Sequence, residues 1–129
     1  DDTIQIAGKR LGPAEVESVL ADHPAVAESA AVGMPDPVKG EGLWCFVVLR
    51  PGTDPGPRVG EELAGLIAER LGKPFRPERV VFVPELPRTR SAKIVRRAVR
   101  AVARGTDPGD LSSLENPEAL RSIRAALEA

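Results

Sequence analysis

Apolar residues recur along this chain at two spacings, every second position and every third or fourth, with glycine and proline turns marking the changes. Thr3-Ile4-Gln5-Ile6 alternates polar and apolar residues, and Gly8 turns the chain into Lys9-Arg10-Leu11, so the opening predicts a short hairpin. Gly12-Pro13 begins a helix with proline at its first position. Glu15 and Glu17 lie in its early turns, where the helix dipole favours acids, and Val16, Val19 and Leu20 form its apolar stripe until Pro24 stops it. Residues 26–32, small and β-branched, predict a strand closed by Gly33 and the proline-rich turn at 34–37.

Residues 43–49 form an unbroken apolar run, the pattern of a strand covered on both faces, which places it mid-sheet. After the loop at 51–57, Val59, Leu63, Ile67 and Leu71 mark a second helix ended by Gly72 and Pro74. Residues 80–83 predict a third strand. Beyond a loop at 84–93, Ile94, Val95, Ala98, Val99 and Val102 fall on one side of a helical wheel, and Arg96, Arg97, Arg100 and Arg104 on the other. Residues 88–104 contain no acid, so this helix is expected to dock by one face and show cations on the other. A solvated polar face is the plain alternative for those arginines. Residues 105–116 are polar and turn-rich; Asn116 is expected to cap, and Pro117 to start, a last helix with a narrow stripe of Leu120, Ile123 and Leu127. That helix is too weakly amphipathic to stand alone and is expected to pack on the body or on a partner.

The assembled expectation is one domain over residues 1–129. It is a small α+β domain with an N-terminal β-hairpin, a short three-stranded mixed or antiparallel sheet and packed helices, its residues 105–129 forming a tail. The 129 residues suffice for one core. A formal net charge of −1 argues against a dedicated nucleic-acid binder, and three Phe, one Trp and no Tyr leave little to stack on bases. The single cysteine, Cys45, sits in the apolar run and reads as a small buried hydrophobe. It permits no disulfide framework and fits a cytoplasmic protein. One histidine and one thiol make no metal site, and no stretch has the length of a membrane span. The chain opens Asp1-Asp2-Thr3 without a methionine, which suggests a piece of something longer that holds most of the substrate.

Phosphate-cradling glycine loops, nucleophile elbows and HExxH are absent from the sequence. What remains is Lys93, on a loop whose neighbours Ser91 and Ala92 are too small to shield it, able to reach an anion bound elsewhere.

Two segments in order, DDTIQIAGKRLGPAEVES and LPRTRSAKIVRR, with VAESAAVGMPDPVKGE between them, resemble the C-terminal domain of the adenylate-forming acyl-CoA synthetase superfamily. The tail GDLSSLENPEALRSI is most similar to acetyl-CoA and other short-chain synthetases. The resemblance implies two steps: a carboxylic acid and ATP give acyl-AMP and pyrophosphate, then coenzyme A takes the acyl group and AMP leaves. It implies that a large N-terminal domain, the partner of this one, binds nucleotide and acid, with Mg²⁺ expected in the full enzyme and not on this chain. By the same resemblance Lys93 is the adenylation lysine and Arg10 the arginine approaching ATP phosphates. Gly8 is the glycine beside which the pantetheine arm of coenzyme A passes, although a positive φ explains a glycine there as well. The resemblance also puts Asp1 at the position of the family's hinge residue. In bacterial members of the family that the chain resembles, the matching lysine is often acetylated by a GNAT-type acetyltransferase, so the resemblance makes Lys93 a candidate for that modification.

The chain departs from the family pattern at Ala92, where glycine is usual, and at Ala68, where some short-chain members carry an arginine for the coenzyme's phosphates; Arg70 and Arg76 are the nearby substitutes. A carrier-loading adenylation domain or a luciferase-like oxidase of the same superfamily, a basic nucleic-acid-binding module and a catalytically inert interaction domain are the alternatives.

Overall fold

The computed structural model describes residues 2–129, so Asp1 and its expected hinge role lie outside the described residues. Strands β1 (Ile4–Ile6) and β2 (Lys9–Leu11) pair antiparallel around Ala7 and Gly8. Both turn residues have positive φ, 50° and 81°, the conformation that a two-residue hairpin loop needs to match strand twist. Helix α1 (Pro13–Ala21) follows; the Glu15 carboxylate reaches back to accept the Gly12 N–H at 3.2 Å.

Strand β3 (Val26–Asp36) and strand β4 (Gly40–Leu49) form the long antiparallel pair at the centre of the molecule. β3 does not stop at Gly33, as its glycine and prolines suggest. It continues through Met34 and Pro35, because it is an edge strand paired only to β4, where proline's missing N–H costs no bond of the ladder. The turn is made instead by Asp36, whose Oδ1 accepts the N–H groups of Val38 and Lys39, both at 2.9 Å. These bonds, Lys39's first, hold its carboxyl below the usual carboxylate range.

Helix α2 (Pro57–Leu71) buries Leu63, Ala64 and Ile67. After a single 3-10 turn at Lys73–Phe75, strand β5 (Arg79–Phe82) pairs parallel to β4. β1 meets the same edge of β4 further along, at Ile6 opposite Gly40, so hairpin and strands merge into one mixed five-stranded sheet. Helices α3 (Arg96–Arg104) and α4 (Ala119–Glu128) complete the chain.

The alternation of β4 sorts the core into two layers. Leu43, Cys45 and Val47 pack with Val16, Leu20, Leu63 and Ile67 under α1 and α2. Phe46 packs with Val81, Leu86, Val99, Leu120 and Ile123 under α3 and α4. The apolar run is therefore covered on both faces, as its sequence predicts. Burying each such large side chain contributes about 1.5–3 kcal/mol. The weak terminal helix docks on the body, where Arg79 donates to the Leu127 carbonyl at 3.2 Å and lies over the Trp44 ring, 5.2 Å from its centroid.

Candidate functional site

Lys93 stands at an exposed turn built by pairing the two sides of its loop. Arg88 and Ile94 face each other as an antiparallel bridge, Val95 N–H donates to the Pro87 carbonyl at 3.0 Å, and Thr89 N–H donates to the Lys93 carbonyl at 2.9 Å. Ala92 N–H closes the turn onto the Thr89 carbonyl at 2.9 Å, and the Thr89 hydroxyl receives the Lys93 N–H at 3.3 Å and lies 3.0 Å from the Ser91 hydroxyl. The lysine's backbone is thus held at both ends while its side chain is exposed, with no salt-bridge partner among the described residues. Ala92 takes φ 69°, the left-handed conformation that glycine would adopt without strain.

The loop is anchored on three sides. Arg88 forms an ion pair with Glu28 of β3. On the tail side, Thr89 bridges to Leu114, and Glu115 N–H donates to the Arg88 carbonyl at 2.8 Å. Asn116 does not cap the last helix with its side chain. Its amide instead accepts the Arg88 N–H and donates to the Leu86 carbonyl and the Glu85 carboxylate, each at 2.9 Å.

The third anchor is α3 itself, where Arg97 and Arg104 are displayed as expected but Arg96 and Arg100 are not. Arg96 grips Glu17 of α1 with two bonds, Nε to Oε2 at 2.7 Å and Nη2 to Oε1 at 2.5 Å, and reaches Asp2 at 3.4 Å. Glu17 also accepts the Ala31 N–H at 2.8 Å. The hydrogen bonds it donates to Glu17 push the Arg96 guanidinium further up, keeping it charged. Arg100 donates to the Gly33 carbonyl at 2.6 Å and to Glu41 at 3.3 Å, and Glu41 in turn accepts the Gln5 N–H of the hairpin at 2.8 Å. Arg97 donates to the Pro108 carbonyl at 2.7 Å. Arg96 and Arg100 therefore clasp the helix to acids of other elements, Arg97 ties it to the tail, and Arg97 and Arg104 stay exposed.

The remaining predicted positions lie elsewhere. Arg10 is exposed on β2, and Gly8 is exposed at the hairpin turn, where a Cβ would meet nothing within 4 Å. Ala68 is half-buried on α2. Arg70 pairs with Asp22 at 2.7 Å and Arg76 with Glu61 at 2.6 Å, both on the surface. Among the described residues no group of three or more His, Cys, Asp or Glu side chains is placed to hold a metal ion, and no helix is long and apolar enough to cross a membrane.

Residues 15–93 match the family described as AMP-binding enzyme C-terminal domain. Over 128 residues, 99% of the chain, it is 47% identical to a 3-hydroxypropionyl-coenzyme A synthetase of Sulfurisphaera tokodaii, covering 19% of that protein. It is 48% identical over 95% of its length to an acetyl-coenzyme A synthetase of Methanothrix soehngenii, covering 18% of it. The chain thus spans about a fifth of the length of these relatives. Among solved structures, a Brucella canis acyl-CoA synthetase superposes with a TM-score of 0.74 at 46% identity, over 78% of this chain and 18% of that one. The amide bond synthetase McbA of Marinactinospora thermotolerans superposes with a TM-score of 0.71 at 38% identity, over 78% and 20%.

Proposed function

The chain belongs to the AMP-binding enzyme C-terminal domain family, and from that premise we propose that it is the mobile C-terminal domain of an AMP-forming acyl-CoA synthetase, supplying the adenylation lysine to a nucleotide site on an N-terminal domain. The observation that carries this reading is Lys93: a long cation held at its backbone, exposed at its amine and raised on a tight turn.

In the first step a carboxylate oxygen of a short acid attacks the α-phosphorus of ATP and the bond to pyrophosphate breaks. Two anions are forced together and negative charge builds on the oxygens of the five-coordinate phosphorus. An ammonium delivered there stabilises that arrangement more than the separated reactants, which is the condition for speeding the step. Arg10, exposed on the hairpin, adds a second cation for the ATP phosphates. In the second step the thiol of coenzyme A attacks the acyl carbon, AMP departs with the carboxylate-derived oxygen, and the thiol proton is released. Gly8 leaves room for the pantetheine arm to pass close to the backbone, and Asp1 takes up the rotation between the two steps. Mg²⁺ would accompany ATP on the N-terminal domain, since no cluster of three or more metal-ligating side chains is found among the described residues of this chain.

ATP–pyrophosphate exchange tests the division of labour. The isolated chain should show none, and the two-domain protein should show it; exchange by the isolated chain would overturn the proposal.

Acetylation of Lys93 by a GNAT-type acetyltransferase would remove the charge that the first step uses. The exposed amine and its basic neighbour Arg90 suit that regulation. Incubation with acetyl-CoA and such an acetyltransferase should label Lys93; label elsewhere, or none, would overturn it.

One observation favours an acceptor other than coenzyme A, such as a carrier protein. Residue 68 is alanine, and Arg70 and Arg76 are both paired with acids. Supplying preformed acyl-adenylate with coenzyme A or with a carrier protein separates the two acceptors.

A further inference from the structure

Asn116 lies outside residues 15–93, the matched family segment, yet its amide spends three hydrogen bonds on the base of the lysine loop. It accepts from the Arg88 N–H and donates to the Leu86 carbonyl and the Glu85 carboxylate, so it needs an acceptor on one side and two donors on the other. Of the small side chains only a primary amide offers both. The neighbouring tail residues extend the contact, Glu115 N–H bonding the Arg88 carbonyl and Leu114 bridging Thr89. Thr89 is in turn the residue that holds both the N–H and the carbonyl of Lys93.

We infer that the tail segment 114–116, through Asn116, is a strap that positions the Lys93 turn for adenylation; Asn116 is a positioning residue, acting through Arg88 and Thr89 and not touching substrate. The inference rests on the reading of Lys93 as the adenylation lysine. The turn has no second layer of sheet behind it: Arg88 and Ile94 form one isolated bridge, and Ala92 sits in a strained conformation. Without the strap the loop keeps the Arg88–Glu28 pair and its own turn bonds but loses the tail contacts to Leu86, Arg88 and Thr89 that fix its base. Catalysis by a delivered ammonium is sensitive to misplacement on the scale of an ångström.

Asn116→Asp is the discriminating variant in the full-length synthetase. It keeps the shape and the bond from Arg88, but turns two donors into an acceptor facing the Glu85 carboxylate and the Leu86 carbonyl. Adenylation should slow about tenfold or more, thioester formation from supplied acyl-adenylate should change less than about twofold, and the amides of Thr89 and Ala92 should exchange hydrogen faster. Adding Glu85→Gln restores a donor opposite residue 116 and should recover part of the adenylation rate, whereas it should recover none in Asn116→Ala. Adenylation at the parental rate in Asn116→Asp, or equal slowing of both steps without recovery by Glu85→Gln, would overturn the inference. Lys93→Ala, measured alongside, separates the failures. A Lys93→Ala enzyme that adenylates normally removes the lysine reading and the strap with it. A crippled Lys93→Ala enzyme beside an unaffected Asn116→Asp enzyme removes the strap alone.

Discussion

Arg96 and Glu17 are 79 residues apart in sequence and meet in a two-pronged ion pair at 2.7 and 2.5 Å, tying the helix that follows the Lys93 loop to the first helix of the domain. Glu17 also serves the Ala31 N–H of the central sheet, so a single carboxylate joins α1, β3 and α3. Both partners are mostly shielded, with side chains 25% and 19% exposed, which lifts the pair above the near-zero contribution of a surface salt bridge.

Glu17→Ala should therefore cost about 1–3 kcal/mol, because it strands the Ala31 N–H and leaves a half-buried guanidinium short of its partner. Equilibrium denaturation in urea measures it. A change within about 0.5 kcal/mol, the range of an ordinary surface substitution, would mean that the clasp is not structural.

Ala92 and Ala7 both hold left-handed backbone, φ 69° and 50°. An alanine in that conformation carries about 1–2 kcal/mol of strain, and glycine returns part of the relief by loosening the unfolded chain by about 0.4–1 kcal/mol. Ala92→Gly and Ala7→Gly should each raise the thermal midpoint slightly. A fall at either site would show that the methyl group contributes packing that outweighs its strain.

Cys45 is fully buried under α1 and α2, and burial, aided by the Glu17 charge, pushes its thiol well above the ordinary value of about 9. Such a thiol should resist alkylation in the folded protein and react at once in denaturant. The sign of its pH effect follows. The folded state keeps the proton while the unfolded state loses it, so the stability associated with this group is complete below about pH 9 and declines above it, by at most about 1.4 kcal/mol per pH unit. Cys45→Val should flatten that decline in denaturation curves taken between neutral and alkaline pH. An unchanged slope would assign the loss to other groups.

Much of this architecture was legible in the sequence because short-range rules dominate where a strand or helix is bounded by its own turn residues. Gly12-Pro13, the apolar run containing Cys45, the Gly72 stop and the loop exposing Lys93 are of that kind. Three features were not legible, each for a physical reason. A helical wheel separates Arg96 and Arg100 from Val99, but cannot say that Glu17 and Glu41 arrive from distant elements to meet them. Asn116-Pro117 has the local form of a helix start, and only the folded chain brings Leu86 and Arg88 to the amide. Gly33 and Pro35 look like strand breakers until β3 is known to be an edge. The absence of acids between 88 and 104 was a signal of a kind: a cationic helix beside an acidic first helix could have suggested the clasp.

On the proposed division of labour, the Lys93 amine serves the first chemical step and little else. Lys93→Gln in the full-length protein, followed in single turnover, tests it most directly. Acyl-adenylate formation should fall about 10²–10³-fold, the usual cost of losing a donor to developing charge, while thioester formation from supplied acyl-adenylate should stay within about threefold of the parent. Equal loss in both steps, or adenylation at the parental rate, would mean that the Lys93 amine does not serve adenylation in particular.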